Sequence, residues 1–448
     1  MTAKTMLRGA VAVAAVAASV LLTAATATPT PTPPSAPAPT ATPTPVPVPI
    51  ADDPSDPVRA LEYWLDTSRI REAWQTTRGE GTTIAVIDTG IGKGPAFDSA
   101  VSDGTDVSGS GSPDGRSPVG TVDPNHGSWV GSVAAARGKA DGTGMIGVAP
   151  EAELLSVSIG FGAAAVVPFV DQIAEGIRWA VDHGADIINM SLTTNTLDWD
   201  KSWDDAFLYA YEHDVVVVVA AGNRASGTSM VGAPATIPGV LTVGGVDREG
   251  NASVEASTQG ITIGIAAPSE GLIGISADGT LTGWRGTSGA APIVAGVAAL
   301  VRSAHPDLDA ANVINRIIKT ATPVPGVTDL PDSLYGYGLL NATAAVSDPV
   351  AHVDENPMGD LAEWVRLYRR ADAAPAPEPE ATPVEIEPLP AADPPTKPAS
   401  PLLPSAESLR FGTLPLIALT VPGIIVGLGV TAAARRIRSA RKQRTPAA

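Results

Sequence analysis

Between about residue 80 and residue 345, apolar positions fall in short runs that alternate with helical stretches. The runs at 82–87 (TTIAVI) and 215–220 (VVVVVA) are too short for helices and lack the polar alternation of a half-exposed strand. Such runs mark strands covered on both faces, as in a parallel sheet. Similar runs stand at 185–190 (ADIINM), 240–243 and 261–266. Between them, 169–183 sets Ile173, Ile177 and Ala180 on one side of a helix that stops before Gly184, and 203–213 repeats the pattern with Phe207, Leu208 and Tyr211. This alternation predicts an α/β fold with a mainly parallel central sheet and helices on both faces. Ligands of such sheets sit beyond the carboxyl ends of the strands, and Asp88, Ser191 and Asn223 all fall at such ends.

Outside this region the pattern changes. Proline concentrates in 29–57 and 375–404, where core-forming residues are sparse, so both stretches read as extended spacers. Lys4 and Arg8 precede an uncharged Ala- and Val-rich run that ends in Ala25-Thr26-Ala27, the layout of a secretory signal peptide. An uncleaved N-terminal anchor is the alternative, since the run is near spanning length. At the other end, 411–434 carries no charge over 24 residues, enough to cross a bilayer core of roughly 30 Å. Arg435, Arg436, Arg438, Arg441, Lys442 and Arg444 follow at once and keep that end cytoplasmic. The expected organisation is a signal peptide (1–27), a Pro-rich extension (28–59), a catalytic domain (60–348), a Pro- and acid-rich linker (349–410), a transmembrane helix (411–434) and a basic tail (435–448). The main domain then lies outside the cell membrane.

The absence of cysteine removes a disulfide framework and a thiol nucleophile from consideration. Formal net charge is −18, although the last fourteen residues hold six basic side chains and no acid. So acidic a main domain argues against nucleic acid as a partner. Acidic residues are numerous, but no contiguous loop has calcium-ligand spacing, so no metal or cofactor is assigned.

Three segments carry candidate chemistry in chain order: Asp88-Thr89-Gly90, His126-Gly127-Ser128 and Gly286-Thr287-Ser288-Gly289-Ala290-Ala291-Pro292. A serine hydroxyl becomes a useful nucleophile only when an imidazole takes its proton and a carboxylate orients that imidazole. Asp88, His126 and Ser288 supply these three groups. Taken singly, Asp88 and Ser288 have ordinary explanations, as a turn-forming Asp and an N-cap Ser. His183 and His213 close amphipathic helices, His305 ends another, and His352 lies near the linker, so His126 is the better base. Ser288 opens a helix whose first turn is expected to hold Pro292, which places the nucleophile at the positive end of a helix dipole. Asn223 follows the 215–220 strand, where its amide could donate to an oxyanion without adding charge.

These motifs, with Asn189-Met190-Ser191-Leu192, Ala221-Gly222-Asn223 and Tyr335-Gly336-Tyr337-Gly338, resemble those of the subtilisin-like serine proteases over about 64–345. The resemblance implies that family's three-layer fold, an Asp88-His126-Ser288 triad, an oxyanion donor in Asn223, and a strand at Ser191, Leu192 and Thr193 that pairs with substrate backbone. Its implied substrate is a protein or peptide. The layout, with the Tyr63-Trp64-Leu65-Asp66 lead-in, is similar to the mycosins, membrane-anchored subtilases of type VII secretion, which implies a membrane secretion complex as partner. A protease-like domain serving mainly as a structural part of that complex is the alternative function. Ser128 stands where the family usually has Thr, Gly289 where Met or Phe is common, and Trp129 puts a bulky ring beside the base.

Overall fold

The computed structural model describes residues 53, 55–120, 123–369 and 405–442. The signal-peptide region, most of the first Pro-rich stretch, all of 375–404 and residues 443–448 of the basic tail lie outside the described residues. The described chain divides into two units, one ending at Asp372 and one beginning at Ala373.

The first unit is built on a seven-stranded, all-parallel sheet. Its strands are β1 (Thr83–Asp88), β2 (Val101–Asp106), β3 (Glu153–Ser158), β4 (Ile187–Met190), β5 (Val216–Ala220), β6 (Leu241–Val246) and β7 (Ile263–Pro268). They lie in the order β2-β3-β1-β4-β5-β6-β7. A separate antiparallel hairpin is formed by β8 (Leu272–Ile275) and β9 (Leu281–Trp284). The expected α/β class and both helices read from periodicity are present. Strands β2, β3, β8 and β9 add to the runs legible in the sequence. β2 reads VSDGTD and has no buried residue at the sheet's edge, so burial never selected an apolar pattern for it.

The sheet is covered on both faces, and strands such as β1 and β5 serve both. Ile84 and Val86 of β1 join one core, and Ala85 and Ile87 join the other; Val216 and Val218 of β5 likewise face away from Val217 and Val219. This is why the runs read as unbroken apolar sequence. On the first face lie helices α1 (Trp64–Thr67), α2 (Ile70–Ala73) and α3 (His126–Ala135), with others given below; α4 (Phe169–Asp182) and α5 (Lys201–Glu212) cover the second. Helix α6 (Thr287–Ala304) runs through the first core, its Ile293, Val294, Val297 and Leu300 fully buried. Helices α7 (Ala310–Lys319) and α8 (Ala342–Ser347) complete that face.

Two sequence expectations are corrected. Residues 349–369, read as the start of the linker, pack on the domain and end in helix α9 (Leu361–Tyr368). Leu361 is buried in the second core, Asn312 Nδ2 donates to the Val353 carbonyl at 3.0 Å, and Arg369 pairs with the buried Asp204 at 2.9 Å. Pro292 lies in the second turn of α6 because the helix already begins at Thr287.

In the second unit, a helix covers Leu414–Lys442. Residues Leu409–Ser439 are long and apolar enough to cross a bilayer. Helix α6 meets the same criterion of length and composition, but it is the buried core helix of the first unit.

The N-terminal lead-in is part of the core: Trp64 and Leu65 are fully buried in the first cluster. Replacing Trp64 by alanine is expected to destabilise the domain by about 3–5 kcal/mol, the usual cost of deleting a buried aromatic side chain. Urea unfolding of wild type and Trp64→Ala, followed by tryptophan fluorescence and far-UV dichroism, measures the difference. A change below about 1 kcal/mol would place Trp64 outside the cooperative unit.

Candidate active site

In the sheet order the chain leaves β1 for one side and, after β3, crosses to β4 on the other. Such a reversal opens a crevice at the strands' carboxyl ends. Asp88 closes β1 there, Ser191 follows β4, and Asn223 lies just past β5.

Asp88 is fully buried. Its Oδ1 accepts the Thr89 backbone N–H at 2.7 Å and His126 Nδ1 at 2.8 Å, and Oδ2 lies 3.0 Å from the same nitrogen. A proton held on Nδ1 leaves Nε2 as the basic nitrogen. Thr89 secures the approach: its hydroxyl donates to the Pro124 carbonyl at 2.8 Å and accepts the Gly127 N–H at 2.9 Å. The first turn of α3 therefore presses directly on the turn after β1. A Cβ at position 127 would stand 2.7 Å from the Gly90 carbonyl oxygen, so only glycine permits this contact.

The His126 side chain is about one-fifth exposed. Burial lowers the pKa of its ring, but the charge of Asp88 and their hydrogen bond outweigh that effect and hold it above the ordinary histidine value. Two indoles wall the imidazole. Trp129 and Trp284 approach it edge-on, with ring centroids 6.3 and 5.6 Å away. Trp129 is anchored by its Nε1, which donates to Ser276 Oγ at 2.9 Å at the end of β8. The sequence places a bulky residue beside the base at Trp129; Trp284, on the unforeseen β8–β9 hairpin, makes it a pair.

Trp284 also lies against Gly289, linking the imidazole's surroundings to the start of α6. Ser288 is the second residue of that helix. Its Oγ donates to the Ser191 carbonyl at 3.1 Å, while Ser191 Oγ donates to the Ser288 carbonyl at 2.7 Å. Asn223 is tied to the same helix start. Its Oδ1 accepts the Thr287 N–H at 2.7 Å and the Thr287 hydroxyl at 3.1 Å, which leaves Nδ2 as the outward donor. Gly286, at φ +140°, makes room for this amide: a Cβ there would lie 2.9 Å from Nδ2. Orphan N–H groups at a helix start and a side-chain amide together suit a developing oxyanion.

Of the residues expected to pair with substrate, the side chains of Ser191 and Leu192 are buried, and only their backbone is suited to that use. Thr193 Oγ1 donates to the Thr194 carbonyl at 3.0 Å, and its methyl lies near Gly222. Thr89 and Thr287 sit inside the quoted motifs, yet their positioning work is invisible until the chain is folded. Among the described residues no cluster of His, Asp or Glu side chains could hold a metal ion.

The electrostatics give a prediction with a definite sign. In wild type the His126 ring should titrate above about 6.5, so it becomes neutral only above that pH. In Asp88→Asn the larger raising charge disappears while burial and the weaker pull of Asp123 persist, and the midpoint should fall. NMR of 13C-labelled histidine reads both values. A midpoint unmoved by Asp88→Asn would mean that the carboxylate does not control the ring.

Residues 79–338 match the Subtilase family. Subtilisin DY of Bacillus licheniformis is 35% identical over 274 residues, covering 60% of this chain and 93% of that protein. Mycosin-4 of Mycobacterium tuberculosis is 31% identical over 318 residues, covering 62% of this chain and 67% of mycosin-4. Among solved structures, MycP1 of Mycobacterium smegmatis superposes with a TM-score of 0.57 at 27% identity, covering 68% of this chain and 90% of that one. MycP3, from the type VII (ESX-3) secretion system, gives 0.55 at 31% identity, with 67% and 92% covered. The family match spans more than half of the sequence and the solved relatives share the fold, so this chain belongs to the Subtilase family and is a subtilisin-like serine endopeptidase related to the mycosins.

Proposed function

We propose that Asp88, His126 and Ser288 form the triad of this protease and that Asn223 donates to its oxyanion hole. The observation that carries the reading is the buried Asp88–His126 hydrogen bond at the same rim as the start of α6. In this reading His126 Nε2 removes the Ser288 Oγ proton as that oxygen attacks the peptide carbonyl. Asp88 keeps the ring in the required tautomer and stabilises the imidazolium. The tetrahedral oxyanion is met by Asn223 Nδ2 and backbone N–H at the helix start, where partial positive charge adds to the field. Collapse expels the amine, protonated by His126, and water then hydrolyses the acyl-enzyme by the same steps. The backbone at Ser191, Leu192 and Thr193 receives the substrate as an added strand.

The proposed location follows from charge and length. Residues 1–27 direct export, 28–59 lead into the protease domain, and the apolar helix anchors the chain with Arg435 and the following basic residues inside. The protease domain then faces the extracytoplasmic side. Likeness to mycosins, one of them described as an essential component of the type VII (ESX-1) secretion system, supports an association with such a membrane complex.

Wild type should be labelled by a serine-directed phosphonate, and Ser288→Ala should not. Equal labelling of both proteins would remove Ser288 from the nucleophile's role, and no labelling of folded wild type would favour the scaffold. Asn223→Ala should lower kcat by about 10²–10³, the loss that follows removal of an oxyanion-hole donor from subtilisin. Unchanged turnover on a chromogenic peptide would exclude Asn223 from the oxyanion hole.

A further inference from the structure

Proline at position 292 creates a local problem in α6. An α-helical carbonyl at position i accepts from the N–H at i+4, and the ring of a proline at i+4 both removes that donor and crowds the carbonyl. The carbonyl concerned belongs to Ser288. It lies in the buried first part of α6, where a polar atom requires a partner.

The partner comes from another element. Ser191 Oγ, just past β4, donates to the Ser288 carbonyl at 2.7 Å. Asn189 Nδ2 donates to Ser191 Oγ at 3.0 Å, so the hydroxyl hydrogen is directed at residue 288. Both residues are buried, Asn189 fully and Ser191 with 4% of its surface exposed, which limits competition from water. The Ser191 carbonyl meanwhile accepts the Ser288 hydroxyl at 3.1 Å. Residues 191 and 288 are thus joined twice, once through each side chain.

We infer that the Ser191 hydroxyl is a positioning group for the nucleophile: it replaces the helix donor missing at Pro292 and fixes the backbone from which Ser288 Oγ projects. Asn189 sets the direction of that hydroxyl. The inference rests on Ser288 being the nucleophile and assigns Ser191 a task beyond receiving substrate backbone. A nucleophile held from the sheet as well as from its own helix stays at a constant distance from the base. Small displacements of a reacting group cost large factors in rate.

The test is a cycle in the full-length chain purified in detergent, with active sites titrated by phosphonate so that only folded, reactive protein is counted. Ser191→Ala should lower kcat by about 10- to 100-fold, with KM within about twofold because the backbone that receives substrate is kept. Ser191→Thr, which retains a hydroxyl, should recover most of the loss. Pro292→Ala restores an N–H at i+4, so in that background Ser191→Ala should cost less than about threefold. The inference is overturned if Ser191→Ala leaves kcat unchanged, raises KM instead, or costs the same factor with and without Pro292. Ser288→Ala serves as the separate control. Persistent labelling there would reject the nucleophile itself, whereas lost labelling with an additive Ser191–Pro292 cycle would reject only the positioning role.

Discussion

The site depends on one buried carboxylate facing one imidazole. Asp88 ends a strand covered on both faces, so its side chain has no solvent to turn toward and accepts from Thr89 and His126. Burial alone would favour the neutral ring; the charge of Asp88 and the hydrogen bond between them raise its affinity for a proton. That balance leaves the ring with a greater affinity for a proton than burial alone would allow. The parallel sheet matters because it presents Asp88, Ser191 and Asn223 along a single rim, where α3 and α6 can deliver the ring and the alcohol.

Close backbone approach is the second requirement, and small residues meet it. Gly127 lets α3 touch the turn after β1, and Gly286 admits the Asn223 amide at the head of α6. Side-chain hydroxyls then supply the bonds that regular secondary structure cannot. Thr89 bridges two loops, Thr287 orients Asn223, and Ser191 serves the carbonyl that Pro292 leaves without its helical donor. Trp129 and Trp284, the large side chains near His126, instead narrow its surroundings by setting two indoles against the imidazole.

Much of this was legible in the sequence, for identifiable reasons. Strands buried on both faces leave unbroken apolar runs, and β1, β4, β5, β6 and β7 are visible as such runs. The residues at strand ends and helix starts were legible because their chemistry makes sense only in combination. Other features left no periodic trace. β2 is polar and has no buried residue, and the β8–β9 hairpin that carries Trp284 is short, with only part of it buried. The turn that holds Pro292 depended on where α6 begins, a boundary set by the Gly286 conformation and the Asn223 bonds. Residues 349–369 read as spacer because their attachments, through Val353, Leu361 and Arg369, are to residues far away in the chain.

In the proposed triad one hydroxyl becomes nucleophilic because one carboxylate-held imidazole can accept its proton. The decisive measurement is the rate of phosphonate modification of wild type against pH, with the adduct located by peptide mass. Modification should be confined to Ser288, with a rate that rises through the same midpoint at which the His126 ring loses its proton. A rate indifferent to that ionisation, or an adduct on a different serine, would contradict it.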